Sequence, residues 1–260
     1  MVGKIVRNQK LNDKYYLLEI KCEEFVREAK VGQFIMINTR HQDYTNDPLL
    51  RRPLGVANIE GDKFSLVYMI VGKGTRLLSE CQKDTEISFS APLGSTFTLL
   101  RKKRTALLAG GIGIAPVYWL AKTLKEAGCV VDLYYGGRTM DDVVLLEELK
   151  ETTDHLVVTT DDGSAGIKGL VTDPFGENVN SYDQIYACGP KGMLRAVSEI
   201  AMGADVPVEV SLDERMACGL GACLGCIIYV KEGDETLQKR CCVEGPVFDG
   251  SKVVWDTVCK

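Results

Sequence analysis

Five of the chain's ten cysteines fall between Cys218 and Cys242, and their spacing constrains the fold more than any other feature. Cys218-x4-Cys223-x2-Cys226, followed by Cys241 or Cys242, is the pattern of a loop whose four thiolates wrap two irons bridged by sulfides, a 2Fe–2S cluster. Such a wrap needs unusual backbone angles, and Gly219, Gly221 and Gly225 permit them. Backbone N–H groups turned towards the sulfurs would offset the buried negative charge. A four-thiolate zinc site on Cys223, Cys226, Cys241 and Cys242 is the competing reading. It leaves Cys218 over and lacks the second Cys-x2-Cys knuckle of a zinc ribbon. Spacing alone does not choose between Cys241 and Cys242.

The rest of the chain changes period twice. Residues 1–99 read as short strands (Lys14–Lys21, Gln33–Asn38, Phe64–Ile70, Glu86–Ser90) separated by turn formers, with one short helix at Thr75–Cys81. This is the pattern of an antiparallel barrel or sandwich. The basic run Arg101-Lys102-Lys103-Arg104 reads as a solvated junction. Beyond it, Thr105–Ala109, Val130–Tyr135, Leu156–Thr160, Gln184–Cys188 and Val206–Leu212 are strand candidates. Helical stretches lie between them, from Pro116 onward, at Met140–Lys150 and at Pro190–Met202. Strands alternating with helices predict a parallel α/β sheet over residues 100–212. Residues 213–260 form a third, small module in which a strand (Ile227–Val230) and a charged loop lead to the last cysteine pair.

Two turns in the α/β region have binding chemistry. Gly110-Gly111-Ile112-Gly113-Ile114-Ala115-Pro116 stands between a strand and a helix, where glycines let the backbone approach a pyrophosphate and the helix start offers N–H groups. It departs from G-x-G-x-x-G, because Pro116 occupies the third glycine position. Cys188-Gly189-Pro190 repeats the strand–glycine–proline–helix order and points to the same crevice. In the barrel region, Arg51-Arg52-Pro53-Leu54-Gly55 can clamp a phosphate. Gly72-Lys73-Gly74-Thr75 is not a Walker motif but is a Gly-rich turn able to hold an anion.

Composition removes other classes. The net charge is −5, against a dedicated nucleic-acid binder, and His41 and His155 are the only imidazoles. The first twenty residues contain no apolar signal stretch, and the apolar run Ala106–Ala121 is broken by Gly110, Gly111, Gly113 and Pro116. A cytoplasmic protein with reduced thiols is expected. Cys22, Cys81, Cys129 and Cys259 read as scattered core or surface thiols.

Together these stretches resemble the ferredoxin-reductase superfamily, and within it the electron-transfer subunits of class B dihydroorotate dehydrogenases. The resemblance covers essentially the whole chain. It rests on Arg51–Leu54, Gly72–Ser79, Gly110–Pro116, Thr160–Ser164, Cys188–Pro190 and Met216–Cys223, with Gly245-Pro246-Val247-Phe248 beyond the fourth cysteine. It implies FAD in the barrel, surrounded by Arg52, Pro53, Leu54, Gly55, Tyr68, Met69, Ile70, Gly74 and Thr75. It implies NAD on the α/β domain, bordered by Gly110, Gly111, Gly113, Pro116, Gly189 and Pro190, with Cys188 at the reaction centre. The fourth cluster ligand of the family lies three residues before the Gly-Pro pair, which selects Cys242 beside Cys218, Cys223 and Cys226. The superfamily's Arg-x-Tyr-Ser is departed from here, since Leu54 and Gly55 hold the last two places. An N–H from Gly55 then stands in for the missing hydroxyl near the reactive flavin nitrogen. The resemblance also implies an FMN-containing dihydroorotate dehydrogenase catalytic subunit as partner, in a heterotetramer of two copies of each, serving pyrimidine biosynthesis. An autonomous NAD(P)H:acceptor reductase of the same fold is the alternative. The small subunit of NADH-dependent ferredoxin:NADP oxidoreductases is a nearby relative, which tends to carry Asp where this chain has Cys218.

Overall fold

The computed structural model describes residues 1–39 and 47–257; His41 and Cys259 lie outside them. The chain opens with β1 (Val2–Lys10), β2 (Tyr15–Lys21), α1 (Glu23–Glu28), β3 (Phe34–Ile37), β4 (Arg52–Glu60), β5 (Lys63–Met69), α2 (Lys73–Ser79) and β6 (Glu86–Ser88). The strands form one antiparallel sheet in the order β3-β4-β5-β2-β1-β6. Bridges Ile37–Phe89 and Phe34–Leu93 bring its two edges together, so the sheet is nearly closed into a barrel. Period-two alternation places the side chains. Ile35 and Ile37 join the barrel core with Phe25, Phe64 and Phe89, whereas Phe34 and Met36 point outward into a different core. The Asn12 side chain accepts the N–H groups of Lys14 and Tyr15, both at 2.9 Å, and so closes the β1–β2 turn.

The second unit runs β7 (Arg104–Gly110), α3 (Ile114–Glu126), β8 (Val130–Gly137), α4 (Leu146–Thr152), β9 (His155–Thr160), β10 (Ile167–Lys168), α5 (Thr172–Gly176), β11 (Gln184–Cys188), α6 (Lys191–Gly203) and β12 (Val208–Ser211). The C-terminal stretch adds β13 (Ile227–Glu232), β14 (Glu235–Arg240) and β15 (Val247–Asp249). The large sheet has the order β10-β9-β8-β7-β11-β12-β15, parallel except for β15. The chain moves outward from β7 in one direction, then returns to pair β11 on its other side. The crevice at the carboxyl ends of β7 and β11 is therefore the topological switch point, where open α/β sheets bind nucleotides.

Two expectations are corrected. The helix over Met140–Lys150 is split into a 3₁₀ turn at Met140–Asp142 and α4, because Leu145 takes a left-handed φ of 62° between them. The charged loop before Cys241 is strand β14, paired in register with β13 (Ile227 opposite Arg240). Its residues Glu235–Arg240 are polar apart from Leu237 and none is fully buried, so local polarity disguises the strand as a loop. The basic run 101–104 is exposed, as a solvated junction requires. No helix among the described residues is long and apolar enough to cross a membrane.

Three segments lock the units together. Ser95 Oγ donates to Val247 O and accepts from Val247 N–H, joining the segment that leaves the barrel to β15. Thr98 binds Glu209 of β12 through its N–H and hydroxyl. Lys14 Nζ reaches Asp142 Oδ1 at 3.0 Å, and Asn12 Nδ2 donates to Asp141 O, so the β1–β2 turn grips the 3₁₀ turn that follows β8 of the large sheet.

Candidate functional site

The cysteine loop is shaped by left-handed backbone at Gly219 (φ 68°), Gly221 (φ 78°) and Leu224 (φ 56°); Leu224, and not Gly225, makes the third bend. Leu220 N–H donates to Cys218 Sγ at 3.3 Å. That N–H, with those of Cys223 and Ala222, pulls the Cys218 thiol down to a pKa of about 6, so it is largely thiolate at neutral pH. The thiols fall into two pairs. Cys218 interacts with Cys223, and Cys242 with Cys226. Among the described residues no three His, Cys, Asp or Glu side chains are gathered to hold a single metal ion. A two-plus-two arrangement with N–H donors directed at sulfur suits a two-iron cluster, one pair of thiolates to each iron.

Cys241 and Cys242 are separated by their surroundings. Cys241 is fully buried, donates to Leu212 O at 3.3 Å, and is pushed far above the ordinary thiol range by burial. Cys242 turns to the loop, where burial raises it to about 11 while the Gly221 N–H opposes the rise. Arg240 holds the approach, pairing with Glu244 at 2.6 Å and reaching Gly221 O at 3.4 Å. Of the two candidates, the Cys242 thiol is the one that interacts with both Cys226 and Cys218.

At the switch point the glycines are required by contact. A Cβ on Gly113 would lie 2.1 Å from Cys188 O, and one on Gly110 would lie 2.6 Å from Pro190 Cδ. A Cβ on Gly189 would lie 2.9 Å from Gly110 N. The two turns thus pack backbone to backbone, leaving their N–H-rich edges in the crevice. Gly111 adopts φ 52° beneath the Tyr15 hydroxyl. Burial raises the Cys188 thiol to about 12, so it is neutral at physiological pH. Asp162 closes the neighbouring loop by accepting from Ser164 N–H and Oγ.

On the barrel, a Cβ on Gly74 would lie 2.8 Å from Arg52 Nε and 3.1 Å from Thr39 Oγ1. The Thr39 hydroxyl is buried with no hydrogen-bond partner among the described residues. A guanidinium, an unsatisfied hydroxyl and a side-chain-free turn make a cradle that fits an anionic phosphate, as FAD would present. Arg51 is not part of it, since its guanidinium binds Met36 O and Ser88 Oγ within the barrel. Thr75 Oγ1 is used to cap α2, accepting from Val71 and Gly72 N–H. The register Phe34–Gly55 and Met36–Pro53 puts Pro53 and Gly55 on the outer barrel face, while Leu54 turns to the barrel core. Tyr68 lies inside the barrel, donating to Asn8 Oδ1 at 3.0 Å, so only its backbone is available to a ligand outside. Met69 and Ile70 are half-buried at the strand end.

These places converge. Pro116, at the start of α3, stands 3.5 Å from where a Gly55 Cβ would be, so the outer strand of the barrel meets the nucleotide turn there. Gly219 of the cysteine loop packs on Met36, one strand away from Pro53. The carriers' three places therefore share one junction.

Sequence reasoning missed Tyr135. It is fully buried on β8; its hydroxyl accepts Val144 N–H and reaches Gly111 O at 3.2 Å and Asp142 O at 3.1 Å. It ties the nucleotide turn to the segment gripped by Lys14. Tyr135→Phe leaves a buried N–H unsatisfied and frees Gly111, and is expected to cost about 1–3 kcal/mol. Thermal unfolding should fall, and KM for NAD should rise more than kcat falls; unchanged KM would remove Tyr135 from this role.

Residues 213–254 match the model of the iron–sulfur cluster binding domain of dihydroorotate dehydrogenase B, and residues 107–199 match the oxidoreductase NAD-binding domain. The dihydroorotate dehydrogenase B (NAD(+)) electron transfer subunit of Clostridium acetobutylicum is 39% identical over 254 residues, covering 97% of this chain and 96% of that protein. The subunit of the same name from Caldanaerobacter subterraneus subsp. tengcongensis is 36% identical over 255 residues, covering 98% of each. A chain in the solved structure of the NADH-dependent reduced ferredoxin-NADP oxidoreductase superposes with a TM-score of 0.85 at 34% identity, over 99% of this chain and 91% of that one. Nearly end-to-end likeness at this level, on a chain whose thiol loop and switch-point crevice have the matching chemistry, places it in the family of dihydroorotate dehydrogenase B (NAD(+)) electron transfer subunits.

Proposed function

We propose that this chain carries electrons from a dihydroorotate-oxidising partner subunit to NAD⁺. The observation that carries the reading is the convergence of the thiol loop, the outer barrel strand and the nucleotide turn at one junction. Dihydroorotate gives up two electrons and two protons; NAD⁺ takes both electrons and one proton as hydride, and one proton is released. A bound flavin supplies the exchange between paired and single electrons that neither nicotinamide nor an iron–sulfur cluster performs alone.

The residues divide the work. Cys218, Cys223, Cys226 and Cys242 would hold a 2Fe–2S cluster, which would supply single-electron transfer. Arg52, Thr39 and Gly74 hold the FAD phosphates, and Pro53, Leu54 and Gly55 with Tyr68–Ile70 and Thr75 shape the flavin site. Gly110, Gly111, Gly113, Gly189 and Pro190 let NAD approach, and Pro116 fixes the start of α3 against Gly55. Cys188 keeps water and charge away from the transferring hydride. We assign residues 1–99 to the flavin barrel, 100–212 to the nucleotide domain and 213–260 to the cluster module, and place the protein in the cytoplasm.

The partner of this reading is an FMN-containing catalytic subunit, two copies of each chain making a heterotetramer. Leu220, Leu224 and Val243 are 71%, 61% and 45% exposed around the thiol loop, an apolar rim where charged side chains would be the norm. Leu224→Asp is expected to abolish co-purification with the partner while leaving iron and FAD content unchanged; retained pairing would move the docking face elsewhere.

The 34% identical oxidoreductase neighbour favours a second reading, an autonomous NAD(P)H:acceptor reductase. Activity with and without the partner decides. The separated chain should oxidise NADH with artificial dyes and do nothing with dihydroorotate, and the reconstituted complex should couple dihydroorotate to NAD⁺. A complex that fails to couple them overturns the first reading.

A further inference from the structure

Met36 belongs to the barrel by sequence and to the cluster module by packing. Its strand neighbours Ile35 and Ile37 are in the barrel core, but its own side chain is 3% exposed in the core that holds Cys226, Cys241 and Cys242. Its backbone is fixed on three sides. Met36 pairs with Pro53 across β3–β4, its N–H donates to Ser90 Oγ at 2.9 Å, and its carbonyl accepts Ser90 N–H at 3.1 Å and Arg51 Nη1 at 3.3 Å. The side chain covers the bare face of Gly219. A Cβ there would lie 2.5 Å from Met36 Cγ and 2.9 Å from its Sδ. Gly219 follows the first cluster ligand, so its lack of a side chain serves this contact as well as its left-handed φ of 68°.

We propose that Met36 is the positioning residue that holds the thiol loop in contact with the flavin strand and fills the gap that single electrons cross between them. The proposal rests on the cluster and flavin assignments above and goes beyond them, because it names the matter between the two carriers. Met36 is itself neither oxidised nor reduced. Its unbranched, polarizable chain fills an irregular gap where a β-branched strand former would not reach. Electronic coupling falls faster across a void than across packed atoms. Truncating this side chain therefore slows the transfer without altering either carrier's ligands.

The test uses the purified complex with Met36→Ala and Met36→Leu, reduced anaerobically by NADH in a stopped-flow instrument that follows flavin bleaching and cluster reduction separately. In Met36→Ala, flavin reduction should keep its rate, cluster reduction should lag several-fold behind the unaltered protein, and the oxidised cluster spectrum should be unchanged. Met36→Leu, which refills most of the gap, should recover most of the rate. Should Met36→Ala lose its cluster, Met36→Val takes its place with the same expectation. Cluster reduction as fast in the shortened variant as in the unaltered protein overturns the proposal, as does equal slowing of both phases. Failure of the underlying assignment looks different: the unaltered protein would itself lack flavin or cluster absorbance.

Discussion

Cys242→Ala should purify without iron or labile sulfide, lose the visible absorption of a cluster, and lose all coupling of dihydroorotate to NAD⁺. Cys241→Ala, one residue away, should keep all three. The contrast follows from which way each thiol faces. Cys242 interacts with Cys226 and Cys218, whereas the Cys241 thiol, although also near Cys226, is buried and donates to Leu212 O. Replacing Cys241 removes one small group from a packed core, which costs about 1 kcal/mol of stability and no metal ligand. The flavin half is built on other residues, so Cys242→Ala should still oxidise NADH with dyes. Iron and sulfide analysis with both activities, run on the two variants together, checks this. A cluster that survives Cys242→Ala and is lost in Cys241→Ala would reverse the assignment.

Gly113→Ala is the second large effect. The new methyl would stand 2.1 Å from Cys188 O and 2.5 Å from its carbonyl carbon, both backbone atoms that cannot rotate aside. The turns after β7 and β11 would have to separate, at an expected cost of about 3 kcal/mol or more. Because the strain falls on the switch-point crevice, NADH oxidation should drop by more than thermal stability alone explains. Gly61→Ala is the control. Gly61 has a positive φ (60°), unlike Gly113 (φ −58°), but a Cβ there meets nothing within 4 Å and no functional residue is near, so stability alone should change. Thermal unfolding with KM for NADH on both variants separates the two; equal KM in both would deny the crevice its role.

The parts of this protein that sequence makes legible are those whose geometry is local. The three proposed ligands of the thiol loop, Cys218, Cys223 and Cys226, fall within nine residues, so their spacing survives as a motif. The strand–glycine–helix turn at Gly110–Pro116 and the helix stop at Gly128 (φ 78°) are likewise set by neighbours in the chain. What sequence hides is set by distant partners. Cys241 and Cys242 share one core and differ in what each thiol meets, Leu212 O for Cys241 and Cys226 for Cys242. Pro116 reads as a variant glycine position of a phosphate turn, yet its contact is with Gly55, sixty-one residues earlier. Tyr135 and Met36 look like ordinary strand residues until the sheet and the cysteine loop are folded around them. β15 carries no sign in its own three residues that it pairs with β12 of the large sheet.

Electron paramagnetic resonance of the purified complex after reduction with NADH tests the central assignment most directly. A signal of a reduced 2Fe–2S cluster is expected, accumulating after the flavin absorbance bleaches, with two irons and two labile sulfides per chain. A protein that bleaches no flavin, shows no such signal on reduction even by dithionite, or carries zinc in place of iron would contradict it.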